Sequence, residues 1–441
     1  MNKNITFYIK DLLKIAYPII LGNLGFILIG VGDVVVAGRH STSTLAAISI
    51  ATAIINCVVA FGIGVLGSIS PVLSNYKGEG RRVSTYFYPS LRFAIALSLV
   101  IALIILFLVP VIDCLGIEVS LIPMIKDYFW ITAFSITGAY IHSMAKEFLQ
   151  TYEIVMFPNM LTIAGVFLNV FLNIIFVFGY GFIPEMGAVG LAWASLLTRY
   201  IMGAILIWYC YKKVKIEKCT KRKMSFIYYK DLFKVGIPSS LAIMIEFVAF
   251  NSVVILTGRI SSIYAAAQNI LCTITSVTFM VPLAISNAAA LKVGYYNGAK
   301  DFYTLRRYAY SVLLMSTGFM FCAALIIFLF PHTILNLFTK DTELIAVGIS
   351  ITYLISAFQI FDGLQVSMAG IFRGLKKTSI VMISNLISYW GISIPLGCIL
   401  AFHYKLNLFG FWVAIGFSSM ILCTIMGTNL IIKFKKLRRE T

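Results

Sequence analysis

Twelve apolar runs follow one another along the chain, separated by short polar breaks. In the first half they lie near 15–37, 45–74, 88–112, 121–148, 158–181 and 187–210. In the second they lie near 235–257, 264–290, 309–335, 343–370, 379–402 and 408–432. A helix of about 20 apolar residues crosses the roughly 30 Å of bilayer hydrocarbon. The runs are continuous, whereas the strands of a membrane barrel alternate apolar and polar positions. Lipid cannot pair with a free backbone group, so each run predicts an α-helix. The first run is too long for a signal-peptide core and no small-residue cleavage site follows it, so no cleaved signal is expected.

The pattern is written twice. KDLLKIAYP at 10–18 returns as KDLFKVGIP at 230–238. At the same spacing of 220 residues, Gly38-Arg39 matches Gly258-Arg259, Tyr76 and Gly78 match Tyr296 and Gly298, and Gly190 and Ala194 match Gly410 and Ala414. Solenoid periods run to roughly 20–50 residues, so this is a duplicated lobe. The expected organisation is an N-terminal six-helix lobe over 1–210, a cytoplasmic linker over 211–233, and a C-terminal six-helix lobe over 234–441 with a basic tail. Two pseudo-symmetric lobes in a membrane are the frame in which substrate sites form and access alternates.

Composition agrees on the solvent. Hydrophobic residues make up 60% of the chain and charged residues 12%, against about 25% charged in soluble domains. The net charge of +18 would suit a nucleic-acid partner, but its distribution excludes one. Arg39, Arg259, Lys340 and Lys405 lie in one set of loops, and Lys126 and Arg199 within spans. The other Lys and Arg fall in the two tails and the alternate loops with their flanks. This is the positive-inside bias, and it places both termini in the cytoplasm. An even number of spans requires both termini on one side, which agrees. The basic loops therefore read as topology signals and contacts to anionic lipid.

The eight cysteines and four histidines are scattered, with no CxxC pair and no Cys/His cluster. Neither a zinc site nor a disulfide framework follows. No phosphate-binding loop is present, and Gly62-Ile63-Gly64 lies in an apolar run where small residues serve close helix packing. Energy for transport is expected from an ion gradient, with no cofactor.

Three acids stand where acids are costly: Asp33 in LIGVGDVVVAG, Glu246 in LAIMIEFVAF and Asp362 in AFQIFDGLQV. A charge at mid-span costs roughly 2.5–3.5 kcal/mol, and such residues read as ion or substrate ligands. The competing reading is a structural carboxylate capped by a polar neighbour. Asn169 and Asn173, spaced i and i+4, share one helix face. With Ser195 and Thr198 on the next span they form a candidate N-lobe polar cavity, or else interhelical amide contacts. Among the 34 Phe, 23 Tyr and 5 Trp, some could hold a lipophilic cation over a ring face.

The chain resembles the multidrug and toxic compound extrusion (MATE) family, in particular its NorM-like branch. Carrying the resemblance are Pro18, Asp33 with Ala37-Gly38, Pro238, Glu246, and the string FDGLQVSMAGIFRGLKKTS with Asp362, Gln365, Gly370, Arg373, Gly374 and Thr378. The resemblance implies an all-α integral membrane protein of twelve transmembrane helices in two six-helix lobes. It implies no enzyme but a secondary antiporter, exporting cationic drugs in exchange for sodium ions or protons. Glu246 and Asp362 then look like the cation-binding carboxylates, able to hold Na+, with Asp33 as a third. Asp33, Asn169 and Asn173 look like the N-lobe cavity, though some relatives carry an acid where this chain has Asn173. Asp341 and Gln365 resemble residues near bound drug. Arg373 matches an inner-gate or capping position. A monomer in the cell (inner) membrane is expected, its partners being small cationic drugs and membrane lipids. A flippase for lipid-linked sugars or peptidoglycan precursors has related architecture, but its diphosphate asks for cleft cations, and here only Arg199 offers one. A membrane-embedded enzyme would need a catalytic constellation, and His142 stands alone.

Overall fold

A computed structural model describes residues 4–114, 116–181, 183–217 and 222–439. Of the expected linker, residues 218–221 lie outside that set. The helices in chain order are α1 (Ile5–His40), α2 (Thr42–Leu66), α3 (Ile69–Gly78), α4 (Phe87–Leu108), α5 (Ile122–Thr151), α6 (Met156–Phe178), α7 (Gly187–Lys213) and α8 (Arg222–Gly258). They continue as α9 (Ser262–Gly298), α10 (Phe302–Leu329), α11 (Pro331–Asn336), α12 (Thr342–Gly374), α13 (Thr378–Asn385), α14 (Ile394–Cys398) and α15 (Asn407–Arg439). Around α14, Leu386–Ser393 and Ile399–His403 wind as π-helix and complete one span from Thr378 to His403.

The duplicated sequence yields duplicated local structure. α2 and α9, α5 and α12, and α7 and α15 each start 220 residues apart. Ser41 caps α2 by accepting from the Thr44 amide, and Ser261 caps α9 by accepting from the Ile263 amide. Each hydroxyl satisfies one of the free amides of a helix start. Gly187 (φ 52°) and Asn407 (φ 50°) open α7 and α15 in the left-handed region, which glycine and asparagine enter most easily.

Among the described residues, eleven helical segments are long and apolar enough to cross a membrane. The run expected at 121–148 is present as α5, a helix of 30 residues, but it falls short on apolarity. Lys126, Asp127, His142, Lys146 and Glu147 punctuate it. Protein supplies what lipid would not: α5 packs along α7, α4 and α2, and the Lys126 ammonium pairs with Asp113 at 2.7 Å.

The chain divides into two compact units, Tyr17–Ser240 and Met1–Ala16 with Leu241–Thr441. Sequence repetition marks the boundary at 210–234; compactness marks it at 16/17 and 240/241. The reason lies in the first legs of α1 and α8. Tyr228, Leu232 and Val235 of α8 are fully buried in the core that also holds Tyr76, Tyr86 and Phe93. Tyr8, Leu12 and Ile15, their counterparts in α1, are buried within the other unit. In the first unit α5 is central. In the second, α12 is central, packed on α9, α10 and α15.

Candidate functional site

The second unit gathers Glu246, Gln365 and Tyr389 from three different elements. α8 contributes Glu246, α12 contributes Gln365, and the π-helical stretch contributes Tyr389. The Gln365 amide donates to Glu246 Oε1 at 3.1 Å and to the Tyr389 hydroxyl at 3.0 Å. The Tyr389 hydroxyl donates to the same Glu246 oxygen at 3.2 Å. Asp362 lies one helical turn before Gln365 on α12, within electrostatic reach of the Glu246 carboxylate. Two carboxylates with two neutral partners leave anionic oxygen free for a cation or a shared proton. Asn385 ties the cluster to α8 by donating to the Ala242 carbonyl at 3.0 Å. Phe250 and Tyr389 also line an apolar crevice with Val253 and Ile415.

In the first unit the expected residues form a chain of hydrogen bonds. The Asn173 amide donates to Asp33 Oδ1 at 2.7 Å and to Asn169 Oδ1 at 3.1 Å. The Asn169 amide reaches Ser195 Oγ at 3.4 Å. The i, i+4 spacing on α6 aims both amides at α1 and α7. Thr198 lies three residues beyond Ser195 on α7, and both its Oγ1 and Asn173 Oδ1 are buried without a hydrogen-bond partner. Buried polar atoms are seldom left so. The amide oxygen, the hydroxyl oxygen and the Asp33 carboxylate together make an oxygen-rich set suited to a hard cation. Arg199 interacts electrostatically with Asp33 while its Nη1 donates to Ser135 at 2.8 Å.

The remaining predicted residues sit apart. Asp341 is the exposed N-cap of α12, its Oδ1 accepting from the Glu343 amide at 2.9 Å and the Leu344 amide at 3.3 Å. Arg373, in the last turn of α12, donates to Ser286 Oγ at 2.9 Å, and Ser286 in turn donates to the Val366 carbonyl. It fastens α12 to α9. Asn251 bonds back to the Phe247 carbonyl of its own helix and stays out of the acid cluster. Sequence reasoning did not single out Tyr389, Asn385 or Ser135. The only local signal was a tyrosine and an asparagine in the apolar string ISNLISYWGIS.

Membrane-length helices in a duplicated frame, each half setting half-buried carboxylates and amides among apolar side chains, define a polytopic membrane protein, and the family model it matches makes it a transporter rather than an enzyme. The chain belongs to the MatE family, whose model matches residues 18–175 and 238–399. Relatives with similar sequences include the probable multidrug resistance protein NorM of Bacillus licheniformis, 27% identical over 92% of this chain and 91% of the relative. The multidrug resistance protein NorM of Aliivibrio fischeri is 26% identical over 92% and 90%. Among solved structures, the eukaryotic MATE transporter AtDTX14 superposes with a TM-score of 0.87 at 20% identity, covering 99% of this chain and 98% of that one. An outward-facing multidrug resistance MATE transporter gives 0.85 at 18% identity, covering 99% of each. The sequence resemblance to a NorM-like MATE protein and the all-helical fold class are thereby confirmed.

Proposed function

We propose that this chain is a cation-coupled multidrug efflux antiporter working by alternating access. The observation that carries the reading is the Glu246–Gln365–Tyr389 cluster with Asp362 beside it. It has the composition of a reusable cation site, and its Glu246 has no acid counterpart in the repeat, where Phe26 stands; Asp33 of the first unit likewise has none, where Val253 stands. Sodium or a proton enters from outside and binds Glu246 and Asp362. Occupying the pair removes its attraction for an organic cation, which leaves outward; the ion is then released inside. The sizes match, since one charge crossing 100 mV releases about 2.3 kcal/mol. Asp33 with Asn169, Asn173, Ser195 and Thr198 forms a second cation site. The relatives named for multidrug resistance support the substrate class, and the loop charges support cytoplasmic termini in the cell membrane.

The test is ethidium or norfloxacin efflux from vesicles under an imposed sodium gradient and, separately, an imposed pH gradient. Glu246→Gln and Asp362→Asn are expected to abolish ion-driven efflux in whichever gradient drives the wild type. Wild-type rates in both variants would end the assignment.

A further inference from the structure

The first legs of α1 and α8 are each fastened by an aspartate set against three tyrosines. In the first unit Asp231, on the leg of α8, accepts from the Tyr76 hydroxyl at 3.0 Å. The Tyr76 and Tyr86 rings lie 5.2 Å apart, and Tyr86 lies 5.0 Å from Tyr228 of the same leg. In the other unit Asp11, on the leg of α1, accepts from the Tyr308 hydroxyl at 2.6 Å. The Tyr296 and Tyr308 rings lie 5.2 Å apart, and Tyr308 lies 4.9 Å from Tyr8 of that leg. Asp11 and Asp231, Tyr8 and Tyr228, and Tyr76 and Tyr296 correspond at the 220-residue spacing, whereas Tyr86 and Tyr308 do not; the hydroxyl on the aspartate comes from Tyr76 in one unit and from Tyr308, not Tyr296, in the other.

The two knots differ in their cation. Lys292, 7% exposed, pairs with Asp11 at 2.8 Å from within α9. Its counterpart by sequence is Val72. In the first unit the Arg81 guanidinium, from the loop after α3, lies 4.2 Å from the centre of the Tyr76 ring. Apolar burial is non-directional and would let a leg slide or turn. A hydrogen-bonded carboxylate is directional and fixes both.

Each knotted leg continues, as one helix, into a candidate ion site of the other unit. α8 is knotted in the first unit through Asp231 and carries Glu246 in the second. α1 is knotted in the second through Asp11 and carries Asp33 in the first. Asp231 and Glu246 are 15 residues apart on that helix, with Pro238 between them. We propose that Asp11, Asp231, Tyr76 and Tyr308 are positioning residues of the transport cycle, through which an ion bound in one unit biases the leg held by the other. The proposal rests on the ion-coupled reading above and adds the route of the coupling.

Two readouts on the full-length protein test it. In liposomes, Tyr76→Phe, Tyr308→Phe, Asp231→Asn and Asp11→Asn are expected to keep the ethidium KM within about twofold. The ethidium moved per coupling ion is expected to fall at least about fivefold, the low end of measured site-to-site couplings. The phenylalanine variants keep the ring packing and so stay informative where an asparagine variant fails to fold. The double variant Asp11→Lys with Lys292→Asp is expected to restore the ratio. Hydrogen–deuterium exchange supplies the second readout. Peptides covering 224–240 are expected to change protection on adding sodium chloride or lowering the pH, and to lose that response in Asp231→Asn and in Glu246→Gln. An unchanged drug-to-ion ratio in all four variants overturns the proposal, as does exchange in 224–240 that responds to neither ion. If wild-type liposomes move no ethidium under either gradient, the antiport reading fails on its own, and the exchange measurement still decides whether the leg senses the acid.

Discussion

At the scale of single residues, the Glu246 oxygen that accepts from both Gln365 and Tyr389 is the most heavily supported atom of the site. Hydrogen bonds to charged groups contribute about 1.5–3 kcal/mol. Tyr389→Phe removes one of them and leaves the ring in place. The half-saturating concentration of the coupling ion is therefore expected to shift by roughly tenfold or more, with the drug KM little changed. Titrating the driving ion in vesicles measures it; an unshifted ion dependence would remove Tyr389 from the site. In the first unit Asn173 is the only amide hydrogen-bonded to Asp33 among the described residues. Asn173→Leu is expected to leave the carboxylate without its donor and to lower transport, whereas Asn169→Leu, one bond further away, is expected to do less. Comparing the two efflux rates checks the order of the chain.

At the scale of elements, the repeat preserves glycines at two close helix contacts. A Cβ on Gly190 would lie 2.7 Å from the Phe176 carbonyl carbon, and one on Gly410 would lie 2.9 Å from the Ala401 nitrogen. Overpacking at such a contact costs typically 1–3 kcal/mol. Gly190→Ala and Gly410→Ala are each expected to lower the thermal midpoint of the detergent-purified protein. Gly318, in α10, has nothing within 4 Å of its virtual Cβ. Gly318→Ala is expected to raise the midpoint or leave it unchanged, because alanine loses less entropy in a helix. Equal effects at all three positions would contradict the packing argument. Gly62 and Gly64 bear out the reading of small residues as packing surfaces: a Cβ on Gly62 would collide with the Tyr140 hydroxyl, and one on Gly64 would lie 2.6 Å from Ser240 Oγ.

At the scale of the molecule, charge asymmetry makes the orientation prediction. A fluorescent reporter fused after Thr441 is expected to fold and fluoresce, as it does in the cytoplasm, whereas a periplasmic phosphatase fused there is expected to be inactive. The reverse pair of signals would invert the topology. The apolar runs, the repeat and the loop charges were legible in the sequence because each is a property of spacing and solvent: a span must be apolar, and a copy must keep its caps at Ser41 and Ser261 and its close contacts at Gly190 and Gly410. The acids stood out in the sequence because an ionisable group in an apolar run is costly and needs a partner. Tyr389 and Asn385 did not, since a tyrosine or asparagine in a span joins the cluster only through what it faces across 24 or 143 residues of sequence. The neighbours that let α5 carry its polar residues, and the exchanged legs of α1 and α8, were hidden for the same reason. Whether a polar or half-buried face is tolerated depends on which helix lies against it, and only folding brings that helix there. The sequence by itself thus determined the solvent, the duplication and the placing of charge, which are one-dimensional constraints. The tertiary structure decided which oxygens meet and which unit holds each leg, because contacts between distant residues are settled by packing in three dimensions.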